Sequence, residues 1–200
     1  MLDRALKLAN WAALRGVWFG GSLIFLAAIT VSVDVIARKL FTVSLGGADE
    51  LSGYAFAIGC AWAFAFTLLN RANVRVDALY QHLPGKLCAV LDVLALVALG
   101  AFVAFLTRYA YEVLATSIQL KALSNSALKM PLWIPQLLWF AGLLLFAATL
   151  LLLLLRALFA LLAGDFATVR ALLSARSIEE DAQDEIAYAA SADLKGLSKP

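Results

Sequence analysis

Residues 51–69, LSGYAFAIGCAWAFAFTLL, carry no charge and run straight into NRANVRVD at 70–77. The second stretch holds two arginines, two asparagines and an aspartate in eight positions. Nineteen or twenty helical residues at about 1.5 Å each cover a hydrocarbon core of roughly 30 Å. The boundary at 69–70 therefore reads as the point where a membrane span ends. Outside the span, the composition agrees: apolar residues make up 64% of the chain and charged residues 15%. Soluble domains average roughly 45–50% and about 25%. A soluble fold this apolar could not cover its surface with polar atoms, so the chain reads as an all-α integral membrane protein.

Three further apolar runs flank this one. The first span reads as about 17–40, with Asp34 and Arg38 one above the other near its end. That pair fits either the water boundary or a contact aimed at another helix or subunit. The third reads as about 87–112, its helix leaving the bilayer through Arg108 and Glu112. Asp92, one to two turns inside it, is expected to face the interface or an arginine such as Arg75. A proton relay would need a second buried acid at matching depth. The fourth span reads as about 131–156. Pro131 is expected in its first turn, where a missing N–H costs nothing, and Trp133 and Trp139 suit an aromatic belt.

Between the spans, FTVSLGGADE (41–50) reads as a loop broken at Gly46-Gly47, with Asp49 and Glu50 starting the second helix. Ser124-Asn125-Ser126 reads as the turn before the fourth span. Residues 1–16 form an amphipathic lead-in with Trp11 at headgroup level. A cleaved signal peptide is the competing reading, but the apolar run is too long for one and no clear cleavage site closes it. A second amphipathic piece follows Arg71, and Ala167–Ala175 reads as a short surface helix. The domain plan is thus a lead-in (1–16), a four-span domain (17–158) and a partly disordered acidic tail (159–200). Basic residues near spans are commoner on the side of the termini (Arg4, Lys7, Arg15, Arg71, Arg75, Lys86, Arg156, Arg170, Arg176) than opposite (Arg38, Lys39, Arg108, Lys121, Lys129). That places both termini in the cytoplasm.

Catalytic chemistry finds no footing. Cys60, Cys88 and the lone His82 give neither a disulfide framework nor a metal-ligand spacing, and no cofactor is expected. No nucleophile–base pair, phosphate loop or long basic patch for nucleic acid occurs. No span is broken at its middle by Gly/Pro and polar groups, the usual mark of a solute site. A stand-alone oligomeric channel or exporter would need a polar face at mid-depth. A membrane anchor of a redox complex would need paired histidines or a quinone pocket. The residues point instead to a subunit that works through other proteins.

Three stretches together resemble the small membrane subunit of TRAP transporters, the tripartite ATP-independent periplasmic carriers. They are DVIARKLF (34–41), ADELSGYAFAIGCAWAFAF running into RANVRVDAL (48–79), and KMPLWIPQLLWFAG (129–142). The resemblance covers about residues 17–158. Asn73 stands where the family often carries a histidine, and Phe140-Ala141 where it carries a proline before Gly142. The resemblance implies a multi-pass protein of the bacterial inner membrane. It implies sodium-coupled import of an organic acid, commonly a carboxylate, delivered by a periplasmic binding protein. The solute and sodium sites would lie in a large elevator-type subunit, with this chain as its scaffold and part of the docking face. On that footing Asp34, Arg38, Glu50, Arg71, Asn73, Arg75 and Asp77 are candidates for fixing helix ends or packing on the large subunit. Lys121 and Lys129 are candidates for docking the binding protein. Partners would be those two proteins and membrane lipids; the solute itself is not written in these residues.

Overall fold

The computed structural model describes residues 2–44, 46–71, 83–173 and 186. Asn73, Arg75, Asp77 and His82 lie outside the described residues, as does most of the acidic tail. The described chain forms five helices: α1 (Leu2–Phe41), α2 (Ala48–Leu69), α3 (Gly85–Gln119), α4 (Trp133–Leu162) and the short α5 (Phe166–Leu173). The first four are each long and apolar enough to cross a membrane. The protein is all-α, and the one β-type pairing among the described residues is a bridge between Leu123 and Pro131.

The lead-in is not set apart from the first span. Residues 2–41 form one unbroken helix of 40 residues, roughly 60 Å long at 1.5 Å per residue. It runs on through the Gly20-Gly21 pair and ends at Phe41. The expectation for Pro131 is corrected: it lies ahead of α4, held in the bridge to Leu123, while the Leu132 N–H donates to the Ala122 carbonyl at 3.0 Å. The helix begins at Trp133, and Pro135 takes the tolerated place in its first turn.

The helices make an open layer rather than a closed bundle. α1 packs chiefly on α2, and α2 and α3 each pack on α4 from different sides, while α2 and α3 scarcely touch. Only 11% of the most apolar stretch of α1 is buried within the chain, against 33% for α2 and for α4. The main core lies between α3 and α4. There Ala89, Val93, Leu96 and Val103 meet Phe146, Leu150, Leu153 and Ala157 at helical spacing. Val169 and Leu173 of α5 close the same core.

Backbones approach most closely where α1 crosses α2. A side-chain carbon on Gly20 would sit 2.8 Å from the Cα of Gly59. In lipid, where apolarity gives no drive to associate, such close packing is what holds helices together. Trp62 fills the space beside it, against Gly16 of α1 and Gly142 of α4, and its indole N–H donates to the Leu138 carbonyl at 2.9 Å.

Candidate functional site

Polar side chains collect at the two ends of the layer. One, the loop end, carries the connections 42–47 and 120–132. The other, the terminal end, carries the start of α1 and all of α5.

At the loop end the last turns of α1 bury an acid. Asp34 is 1% exposed and pairs through Oδ2 with Arg38, four residues on. Its Oδ1 accepts from the Ser44 hydroxyl at 3.2 Å, which ties the following loop back to the helix. The Arg38 side chain remains 48% exposed. The pair therefore faces the boundary with its arginine outward and its carboxylate inward.

Glu50, in the first turn of α2, draws the two loops together. Its carboxylate takes a hydrogen bond from the Tyr54 hydroxyl one turn along and stands beside the hydroxyls of Ser126 and Ser124 of the other connection. Beside it, a side-chain carbon on Gly46 or Gly47 would run into Ala127 or Leu128, so the loops lie in direct contact. The turn is braced internally: the Met130 N–H donates to Ser124 Oγ and the Leu128 N–H to Ser126 Oγ, both at 3.2 Å. Lys121 and Lys129 flank this braced turn, both exposed.

Both lysines have a left-handed backbone, φ 47°. Lys121 closes α3: its N–H donates to the Ile118 carbonyl at 3.2 Å and that of Ala122 to Ser117 at 3.0 Å. Such a closure usually carries glycine, because any side chain there costs roughly 1–2 kcal/mol. α4 ends the same way with glycine, at Gly164, φ 73°. The other non-glycine residues with positive φ are Thr42 and Arg71, so three of these four described positions are site candidates from sequence.

The terminal end places Arg71 just past α2. It shares the lining of a groove with Thr67 and with Asp92, which is 2% exposed. Sequence sets Asp92 against the interface or an arginine such as Arg75; the structure places it with Arg71 around one cavity, and Arg75 lies outside the described residues. Lys86 lies over the Phe166 ring at 5.9 Å, holding α5 against the start of α3. No group of three or more His, Cys, Asp or Glu able to hold a metal occurs among the described residues.

The candidates thus divide. Asp34, Arg38, Glu50, Lys121 and Lys129 gather at the loop end, and Arg71 stands at the other. Tyr54, Ser124 and Ser126 also belong to the loop-end cluster. In sequence Tyr54 looks like apolar helix surface and the serines like ordinary turn residues. The i, i+4 spacing of Glu50 and Tyr54 is the one local signal for them.

This layout, four apolar helices with polar groups held at both ends, fits the family that the sequence matches over residues 27–160: tripartite ATP-independent periplasmic transporters, DctQ component. The chain belongs to that family. DctQ components are the small membrane components of TRAP transporters, so the protein is part of a transporter and not an enzyme, and it is a multi-pass protein of the inner membrane. No curated protein and no solved structure matches the chain. In TRAP systems a DctQ component works with a large membrane subunit and a periplasmic binding protein.

Proposed function

We propose that this chain is the small subunit of a sodium-coupled importer for an organic acid of the carboxylate class, with the loop end in the periplasm and both termini in the cytoplasm. The large subunit holds solute and sodium and moves. This chain stays fixed, broadens the stationary part in the bilayer, and offers the loop end to the binding protein. The lack of a polar conduit through the described helices supports a supporting role. The groove at the terminal end is lined mostly by apolar side chains, with Thr67, Arg71 and Asp92 as its polar members.

The observation that carries the docking role is the braced platform at the loop end. Glu50 ties two connections that are far apart in sequence into one surface, and that surface holds Lys121 and Lys129 outward at positions where glycine would cost less. Strain kept on exposed cations favours a role in recognition over one in stability. Charges at such a rim act mainly on the rate of encounter. Reversing both, as Lys121→Glu with Lys129→Glu, is expected to slow association of the binding protein roughly tenfold at low salt and much less at high salt. Stopped-flow or surface-based association rates measure this. A rate unchanged at every salt concentration removes the platform from the docking face.

A further inference from the structure

The outward face at the start of α1 is basic and aromatic together. Residues three and four apart share a helix face, and Ala9, Ala13, Gly16 and Gly20, all buried, form the face that packs. Opposite them stand Arg4, Lys7 and Arg15, all exposed. Leu8, Trp11, Leu14 and Trp18 lie among them on the same side and are exposed as well. Arg15 lies over the Trp11 ring, 5.0 Å from its centre. Among the described residues no carboxylate pairs with any of these three cations. Asp3 is the one acid ahead of Asp34.

Depth along the helix places this face at the edge of the bilayer. Residues 16–33 hold no charge. They span roughly 27 Å at 1.5 Å per residue, close to a hydrocarbon core of about 30 Å. Arg15 then sits where hydrocarbon gives way to headgroups, and Trp18 just inside. Arg4 lies roughly 16 Å further along the axis, whereas the headgroup layer is only about 5–8 Å deep. An upright helix would carry Arg4, Lys7, Leu8 and Trp11 towards open water. A helix leaning towards this face lays the whole of it on the leaflet. Two neighbours compete for the face, a lipid leaflet and another subunit, and its composition decides. Protein interfaces are depleted in lysine. Tryptophan interleaved with lysine and arginine at the edge of hydrocarbon marks a membrane surface.

We infer that α1 leans onto the leaflet at the terminal end and that Arg4, Lys7 and Arg15 bind anionic phospholipid headgroups there. Leu8, Trp11, Leu14 and Trp18 enter the acyl boundary beside them. The face thereby gathers anionic lipid in preference to zwitterionic lipid, and it anchors a helix that buries little of itself against its own chain. This holds whichever side of the membrane the termini occupy and whichever solute the transporter carries.

Tryptophan quenching by brominated lipids tests this. The full chain, with any membrane partners that purify alongside it, is placed in phosphatidylcholine nanodiscs. These carry a minority of either brominated phosphatidylglycerol or brominated phosphatidylcholine. The local signal is the fluorescence lost from a chain with Trp11→Phe and Trp18→Phe. At low salt the anionic lipid is expected to quench that signal at a mole fraction at least about fivefold below the zwitterionic one, the scale of one cation at an anionic surface. The preference should shrink at about 1 M salt, where screening is nearly complete. Arg4→Gln, Lys7→Gln and Arg15→Gln together should abolish it, and Arg4→Lys with Arg15→Lys should retain it. Lys39→Gln, at the other end of the same helix, should leave it unchanged. Equal quenching by the two lipids on the parent chain, or a preference that survives the three glutamine substitutions, overturns the inference. So does a signal that neither lipid quenches, which would give the face to a protein neighbour.

Discussion

At the scale of single residues, the informative feature is a buried acid with a half-exposed cation beside it. Taking Asp34 out of water is costly, and the arginine offsets that cost only while it stays. Arg38→Ala leaves the carboxylate buried without its cation and should destabilise the chain by about 3–5 kcal/mol. Asp34→Ala with Arg38→Ala removes both charges and should be less destabilising than Arg38→Ala alone. Thermal unfolding in detergent measures both, and a double variant less stable than the single one would refute the account. This pair is plain in the sequence because four residues along a helix is one turn. The 2.6 Å pair of Arg108 and Glu112 is legible for the same reason. Glu50 shows the limit. Its place at a helix start can be read locally, but its closeness to Ser124 and Ser126 cannot, since that depends on two loops meeting across the fold. Nor does the letter K reveal a left-handed backbone at Lys121 and Lys129.

At the scale of elements, the spans are legible because apolar length is a one-dimensional property. Their neighbours are not. Small residues in α2 signal close packing somewhere, yet nothing local tells Gly59 that its counterpart is Gly20. α1 buries so little of itself that this crossing should control whether it stays attached. Gly20→Val would drive a side chain into the Gly59 backbone, at a cost of about 1–3 kcal/mol. It should loosen α1 while α2, α3 and α4 keep their packing; disulfide cross-linking between introduced α1 and α2 cysteines should fall and that between α3 and α4 should not. Equal cross-linking across α1 and α2 would show that the approach is not tight. α5 offers a second test. Asp165 caps it, accepting from the Thr168 N–H at 3.0 Å and from the Thr168 hydroxyl. These bonds hold its carboxyl below the ordinary carboxylate range. A folded pKa below the unfolded one means the stabilisation is present above about pH 4 and is lost as pH falls through the lowered value. Hydrogen exchange in Val169–Leu173 should therefore rise on acidification in that window, and Asp165→Asn should flatten the dependence.

At the scale of the whole molecule, the arrangement argues for dependence on others. Among the described residues the first helix is mostly uncovered, the second and third helices stand apart, and most charged groups sit towards the ends, an arrangement that shows no polar path running through the helices. Sequence makes this half legible: unbroken spans argue against a transporter-type site, whereas the open layer itself emerges only once the helices are placed. If the chain is the fixed part of a three-component importer, its contribution to flux must be conditional. Reconstituted alone in proteoliposomes, it should pass no organic acid under any sodium gradient. With the large membrane subunit and the binding protein added, uptake should appear and should vanish when the inward sodium gradient is abolished. Leaving out only this chain should then remove most of the flux, because the moving part loses what it slides against. Uptake by the small chain alone would mean that a conduit exists where the helices show none. Full uptake by the other two components without it would mean that its place in the bilayer is dispensable for movement, and would reduce its role to docking.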